Sequence, residues 1–180
     1  DSNNSPAPAQ DNMNIITGNI HVVSGLTDSG KAKLANNKNL VVPVVDEDGH
    51  KVQGVGNSAF KGLSLESVEL PKNVKAPSNG LWDSSVTTRG DFFIGASAFQ
   101  GNNLTELTVP EGTIYIGSNA FSKNKLKSAR FPSTLMMIGN GAFATNEIAN
   151  LDFSKTTDYP LSIDNMAFAI NKIEIGRAHV

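Results

Sequence analysis

Five segments of this chain run through one local pattern and end in Ala-Phe: G-V-G-N-S-A-F at 54–60, F-I-G-A-S-A-F at 93–99, Y-I-G-S-N-A-F at 115–121, M-I-G-N-G-A-F at 137–143 and S-I-D-N-M-A-F at 162–168. Taken alone, the first reads G-x-G-x-x-A, close to the dinucleotide-binding fingerprint. A phosphate loop is needed once, whereas a unit that builds architecture is needed many times, so the recurrence assigns these glycines to structure. Phe60, Phe99, Phe121, Phe143 and Phe168 stand 39, 22, 22 and 25 residues apart. The repeat is therefore 22 residues long, with insertions of 17 and 3 residues absorbed between units.

Five, eight and ten residues after each of the first four phenylalanines come Leu65, Val68, Leu70; Leu104, Leu107, Val109; Leu126, Ala129, Phe131; and Ile148, Leu151, Phe153. This is L-x-x-L-x-L four times over. Pro71, Pro110 and Pro132 follow in three copies and Ser154 in the fourth, and a proline ends a strand because it has no N–H for the ladder. The last two apolar positions alternate with polar ones, which predicts short strands centred near Val68, Leu107, Ala129 and Leu151 with Leu107 and Val109 facing in and Thr108 facing out. The Ile-Gly-x-x-Ala-Phe half is expected to return the chain through a turn and a short helical segment, its Phe filling the interior. One repeat cannot bury such a face alone, and a stack of them does. Asn102, Asn124, Asn146 and Asn171 each lie three residues after a Phe. A side-chain amide satisfies backbone groups at a tight turn, so they are read as a structural ladder.

The unit, shown nearly complete by I-G-S-N-A-F-S-K-N-K-L-K-S-A-R-F-P at 116–132, resembles the BspA-like leucine-rich repeats of bacterial surface antigens, with matching residues from Val55 to Ile173. Leu63 in place of the first Asn, Ser154 for Pro, Asp164 for Gly and the insertion after Pro71 depart from the pattern. The resemblance implies an α/β leucine-rich-repeat solenoid with 22-residue repeats, short parallel strands stacked in one sheet, and short helical or irregular return arms. It also implies a cell-surface or secreted, non-enzymatic module that binds host or neighbouring-cell proteins. A structural spacer that presents another domain is the alternative.

Residues 1–11, rich in Ser, Asn, Ala and Pro, read as a flexible tether. Residues 12–53 read as a diverged capping repeat that hides the apolar edge of the array at 54–173, with a strand over 15–23 and a short helix capped by Thr27 or Asp28. Residues 174–180, E-I-G-R-A-H-V, can be reverse-translated into the start of a sequencing adapter and are read as non-native. On that reading the native chain continues and the last repeat is cut.

A net charge of −2 with scattered Lys and Arg lacks the basic stripe of a nucleic-acid binder, so nucleic acid is not expected as a partner. The absence of Cys removes disulfides and thiol chemistry. No apolar run approaches the roughly 18 residues that span a bilayer, so no membrane insertion is expected, and no signal segment opens the chain.

Chemistry-bearing residues are few. Asp46-Glu47-Asp48-Gly49 offers three carboxylates without the remaining ligands of a calcium loop, and an Asp-Gly turn between V-V-P-V-V and K-V-Q-G-V accounts for it. His21 and His50 have no partner at metal-ligand spacing. No catalytic residue, metal or cofactor is assigned. Candidate protein-binding residues are Trp82, the single Trp, and Arg89 and Asp91 of an Arg-Gly-Asp tripeptide, all in the insertion at 72–93. The outward strand positions Glu69, Glu106, Thr108, Arg130 and Asp152 supply the rest.

Overall fold

The computed structural model describes residues 13–16, 20–72, 91–156 and 160–174. In chain order the elements are β1 (Met13–Ile16), β2 (Val22–Leu26), α1 (Asp28–Leu34), β3 (Asn39–Val41), β4 (Gly54–Val55), β5 (Ser67–Glu69), β6 (Phe92–Ile94), β7 (Glu106–Thr108), β8 (Thr113–Ile116), β9 (Ser128–Arg130), β10 (Met137–Ile138), β11 (Asn150–Asp152) and β12 (Ser162–Ile163). Each L-x-L segment is a strand, as its alternation requires: Leu107 is buried between exposed Glu106 and Thr108, and Ala129 is buried before exposed Arg130.

The repeat also contributes a second strand that its motif does not announce. The residues leading into each Gly-x-x-Ala-Phe segment, expected to open a short helical return arm, pair in parallel instead. With the antiparallel β1–β2 pair at one end they build a seven-stranded sheet in the order β1-β2-β4-β6-β8-β10-β12. Phe92 and Phe93, at the end of the stretch read as insertion, belong to this sheet through β6. After each of these strands the chain makes consecutive turns rather than a helix. The reason is visible in the hydrogen bonds: the N–H groups of Phe60, Phe99, Phe121 and Phe143 donate to carbonyls of the next repeat at 2.7–2.8 Å, not to the carbonyl four residues back.

The leucine strands form two ladders, β3-β5 and β7-β9-β11. Among the described residues no strand pairing joins β5 to β7, although Asn103 N–H still donates to Leu65 O at 2.8 Å just before them. The break falls where the insertion separates these two repeats in sequence. The other sheet crosses the same point unbroken, through β4 paired with β6.

Between the two lines of strands lies the core. Phe60, Phe99, Phe121, Phe143 and Phe168 stack in file with ring centroids 5.4, 5.2, 5.3 and 5.3 Å apart. Leu65, Leu104, Leu126 and Ile148 are fully buried beside them. Each such side chain contributes roughly 1.5–3 kcal/mol relative to exposure. The asparagines hold the file together. Asn102, Asn124, Asn146 and Asn171 each donate to the carbonyl of the Phe three residues before and to that of the preceding repeat's Phe, all at 2.9–3.1 Å. Their Oδ1 atoms accept the N–H of Leu65, Leu104, Leu126 and Ile148.

The glycines answer the question posed by the opening motif. A Cβ on Gly95, Gly117 or Gly139 would stand 2.7 Å from a backbone nitrogen of the preceding repeat, and one on Gly54 would enter the Phe93 ring. These residues let neighbouring coils touch.

At the head of the array, Thr27 caps α1 by accepting Gly30 N–H at 3.1 Å. The Asp-Gly turn is present: Val45 and Lys51 form an antiparallel bridge closed by Asp46 N–H to His50 O at 2.8 Å. At the tail, Met166 and Ile170 are 69% and 74% exposed beside exposed Ile163, and among the described residues β12 pairs with a strand on one side only.

Candidate functional site

The outward residues of the leucine strands converge on one open groove of about 760 Å³. Its floor carries one registered row of side chains. Thr108, Arg130 and Asp152 stand side by side on β7, β9 and β11, and Glu106 joins them from two residues before Thr108. Glu69 of β5 lines the groove from across the break between the ladders. Thus five of the sequence candidates, Glu69, Glu106, Thr108, Arg130 and Asp152, share one surface, all of them exposed.

The rim adds Lys72, Glu111 and Lys155, with Pro110 and Pro132 at the strand ends. Glu111 is engaged within the protein: its carboxylate accepts Ser133 N–H at 3.0 Å and the Ser133 hydroxyl at 2.8 Å. The Asp152 carboxyl is held below the usual carboxylate range, first by hydrogen bonds from the Ser154 side chain and backbone N–H and then by the charges of Arg130 and Lys155. It therefore stays ionised beside Arg130. The groove is lined by both acidic and basic groups, so the surface suits a partner with mixed polar character.

Of the three candidates from the insertion, Trp82 and Arg89 lie outside the described residues. Asp91 is described and is occupied within the chain. Its carboxylate pairs with the Lys51 ammonium and also accepts from Gln53 Nε2 at 3.5 Å, with both members of the ion pair largely buried. An aspartate held this way anchors the base of the insertion to the capping segment.

Spacing in the sequence misses one cluster entirely. His21, just before β2, and His50, after the Asp-Gly turn, stand apart in the chain, yet the fold places Asp46 between them. His21 Nδ1 lies 2.6 Å from Asp46 Oδ2, His50 Nδ1 lies 3.4 Å from Oδ1, and the two imidazoles stack with centroids 4.7 Å apart. The Asp46 oxygen Oδ1 accepts the N–H groups of Asp48 and His50 at 3.0 and 2.8 Å. Burial by itself would raise the Asp46 carboxyl, but the His50 backbone N–H and the two imidazoles more than offset it and hold it below the ordinary value. Only the N–H-accepting Asp at the head of an Asp-Gly turn is legible in the sequence, because the His21 partner comes from a different strand.

Among the described residues no helix is long and apolar enough to cross a membrane. No curated protein sequence matches the chain. Two solved structures are similar to it. The T. pallidum leucine-rich-repeat protein is 19% identical over 89% of this chain and 85% of its own, with a TM-score of 0.40. A leucine-rich-repeat protein from Bacteroides ovatus is 17% identical over 93% of this chain and 58% of its own, also with a TM-score of 0.40. Residues 14–88 and 93–177 match the BspA type leucine rich repeat region in six copies. With both strand ladders, the phenylalanine file and the asparagine staples in place over that span, the chain belongs to the BspA-type leucine-rich-repeat family.

Proposed function

We propose that this chain is a non-enzymatic protein-binding module of a bacterial surface or secreted protein, and that its partner is a host or neighbouring-cell protein held on the leucine-strand groove. The observation that carries the reading is the convergence of Glu69, Glu106, Thr108, Arg130 and Asp152 on one open, mixed-charge surface. These side chains are exposed and stand on short strands whose inward neighbours are locked in the core, so the surface is presented rigidly and without a folding cost on binding.

The test is a binding assay of the untagged chain against fibronectin, fibrinogen and whole epithelial cells, with a Glu106→Lys, Arg130→Glu double variant and a Lys61→Glu control on the turn face. Weakening by more than about tenfold in the double variant alone, at unchanged melting temperature, supports groove binding. Equal binding by the double variant and the parent would overturn the groove as the site. Absence of binding to every target would leave the spacer alternative ahead.

A further inference from the structure

We propose that His21, Asp46 and His50 form a binding site for one divalent transition-metal ion, with zinc the cation their donor set suits best. Two imidazole nitrogens and a carboxylate oxygen match zinc, nickel or cobalt, whereas calcium and magnesium take oxygen ligands almost throughout. One donor atom from each of the three residues lies within 4.8 Å of the others. Tetrahedral zinc with bonds of about 2.0–2.1 Å places its ligands about 3.3 Å apart. Rotations of the imidazoles therefore close the cluster around an ion, with the 2.6 Å contact between His21 Nδ1 and Asp46 Oδ2 widening modestly.

A second observation is independent of the spacing. His21 Nδ1 and His50 Nδ1 are both shut off from solvent, and neither makes a hydrogen bond of acceptable geometry, although each lies beside the carboxylate. Buried polar atoms are nearly always partnered, and a shared cation would satisfy both nitrogens at once. Asp46 is 5% exposed and pre-oriented by two backbone N–H groups, so the anionic ligand is fixed before the metal arrives. The His50 side chain is 38% exposed and the His21 side chain 15%, which leaves the open side at His50 for entry and for a water as fourth ligand.

The location gives the site a consequence. His21 leads into β2 of the long sheet, and residues 46–50 form the turn of the capping segment. An ion held by all three would tie that turn to the sheet at the head of the array and stabilise the folded state by mass action.

The experiment uses the untagged full chain, stripped with EDTA and titrated with zinc chloride by calorimetry, with the melting temperature followed in parallel. One equivalent of zinc should bind with micromolar or tighter affinity and raise the melting temperature. His50→Gln, a half-exposed position that the fold tolerates, should weaken binding by more than about tenfold. His179→Gln, at the remaining histidine, should bind as the parent does. Imidazole nitrogen resonances of His21 and His50 in the parent should shift on zinc addition, a readout that needs no variant. No saturable zinc binding, unshifted His21 and His50 resonances, or full affinity in His50→Gln would each overturn the site and leave the three residues as a structural ion pair.

Discussion

The side-chain amide of Asn124 donates to the carbonyl of Phe99, 25 residues earlier and one repeat away, at 2.9 Å. The same Nδ2 reaches Phe121 O within its own repeat, and Oδ1 accepts Leu104 N–H, so one residue satisfies three buried backbone groups on two coils. Removing it leaves the buried Leu104 N–H without its acceptor and takes one of two donors from each carbonyl, since Asn102 still reaches Phe99 O and Asn146 still reaches Phe121 O. Asn124→Ala should cost about 2–3 kcal/mol, set by the buried Leu104 N–H left without an acceptor and by the two hydrogen bonds lost to the carbonyls. Asn171, in the half-buried last repeat, makes the same bonds beside solvent, and Asn171→Ala should cost about 1 kcal/mol. Urea unfolding midpoints of the two variants check this; equal losses would contradict it.

Phe121 sits in mid-file, 5.2 Å from Phe99 and 5.3 Å from Phe143, with no exposure to solvent. Phe121→Ala should cost about 3–5 kcal/mol, because the rings on either side are held by their own repeats and cannot collapse into the cavity. Thermal denaturation against an exposed control such as Lys125→Ala measures the difference, and a shift no larger than the control's would refute the file as the source of stability.

Gly117 is required by packing. A Cβ there would lie 2.7 Å from the Ala96 nitrogen, which is backbone and cannot rotate away. Gly117→Ala should destabilise by about 1–3 kcal/mol through overpacking. A neutral result in chemical denaturation would show that the coils can separate at no cost.

Thr145 holds φ at 59°, a left-handed conformation that is unfavourable for a β-branched residue. Gly62 and Gly101 occupy the same place, two residues after the Phe, in earlier repeats. Thr145 is exposed, and Thr145→Gly should stabilise by about 1 kcal/mol as the strain is relieved. A lowered melting temperature would mean that unfolded-state entropy outweighs the strain.

The Arg-Gly-Asp tripeptide is best tested at Arg89, because replacing Asp91 would also break its ion pair with Lys51. Adhesion of integrin-bearing cells should be the same for the parent and Arg89→Ala. Loss of adhesion with folding intact would assign the tripeptide a role.

The 22-residue period, the buried strands and the phenylalanine file are legible in the sequence, because periodic burial needs apolar residues at fixed offsets and those offsets survive insertion. The capping helix and the Asp-Gly turn are legible as well, since Thr27 and Gly49 act within a few residues of themselves. What the sequence does not express depends on contacts between repeats. Ser97, Asn119, Gly141 and Met166 share one left-handed position two residues before the Phe, although only Asn and Gly favour it locally. Hydrogen bonds to the next coil impose it: Ser97, Asn119 and Gly141 N–H donate to Ser118, Asn140 and Asn165 carbonyls. The same inter-coil bonding replaces the expected short helices with turns and adds the second sheet. The break between β5 and β7, and the meeting of His21 with Asp46 and His50, are likewise decided in three dimensions. Each depends on groups from separate strands, and no local spacing records which strands will be neighbours.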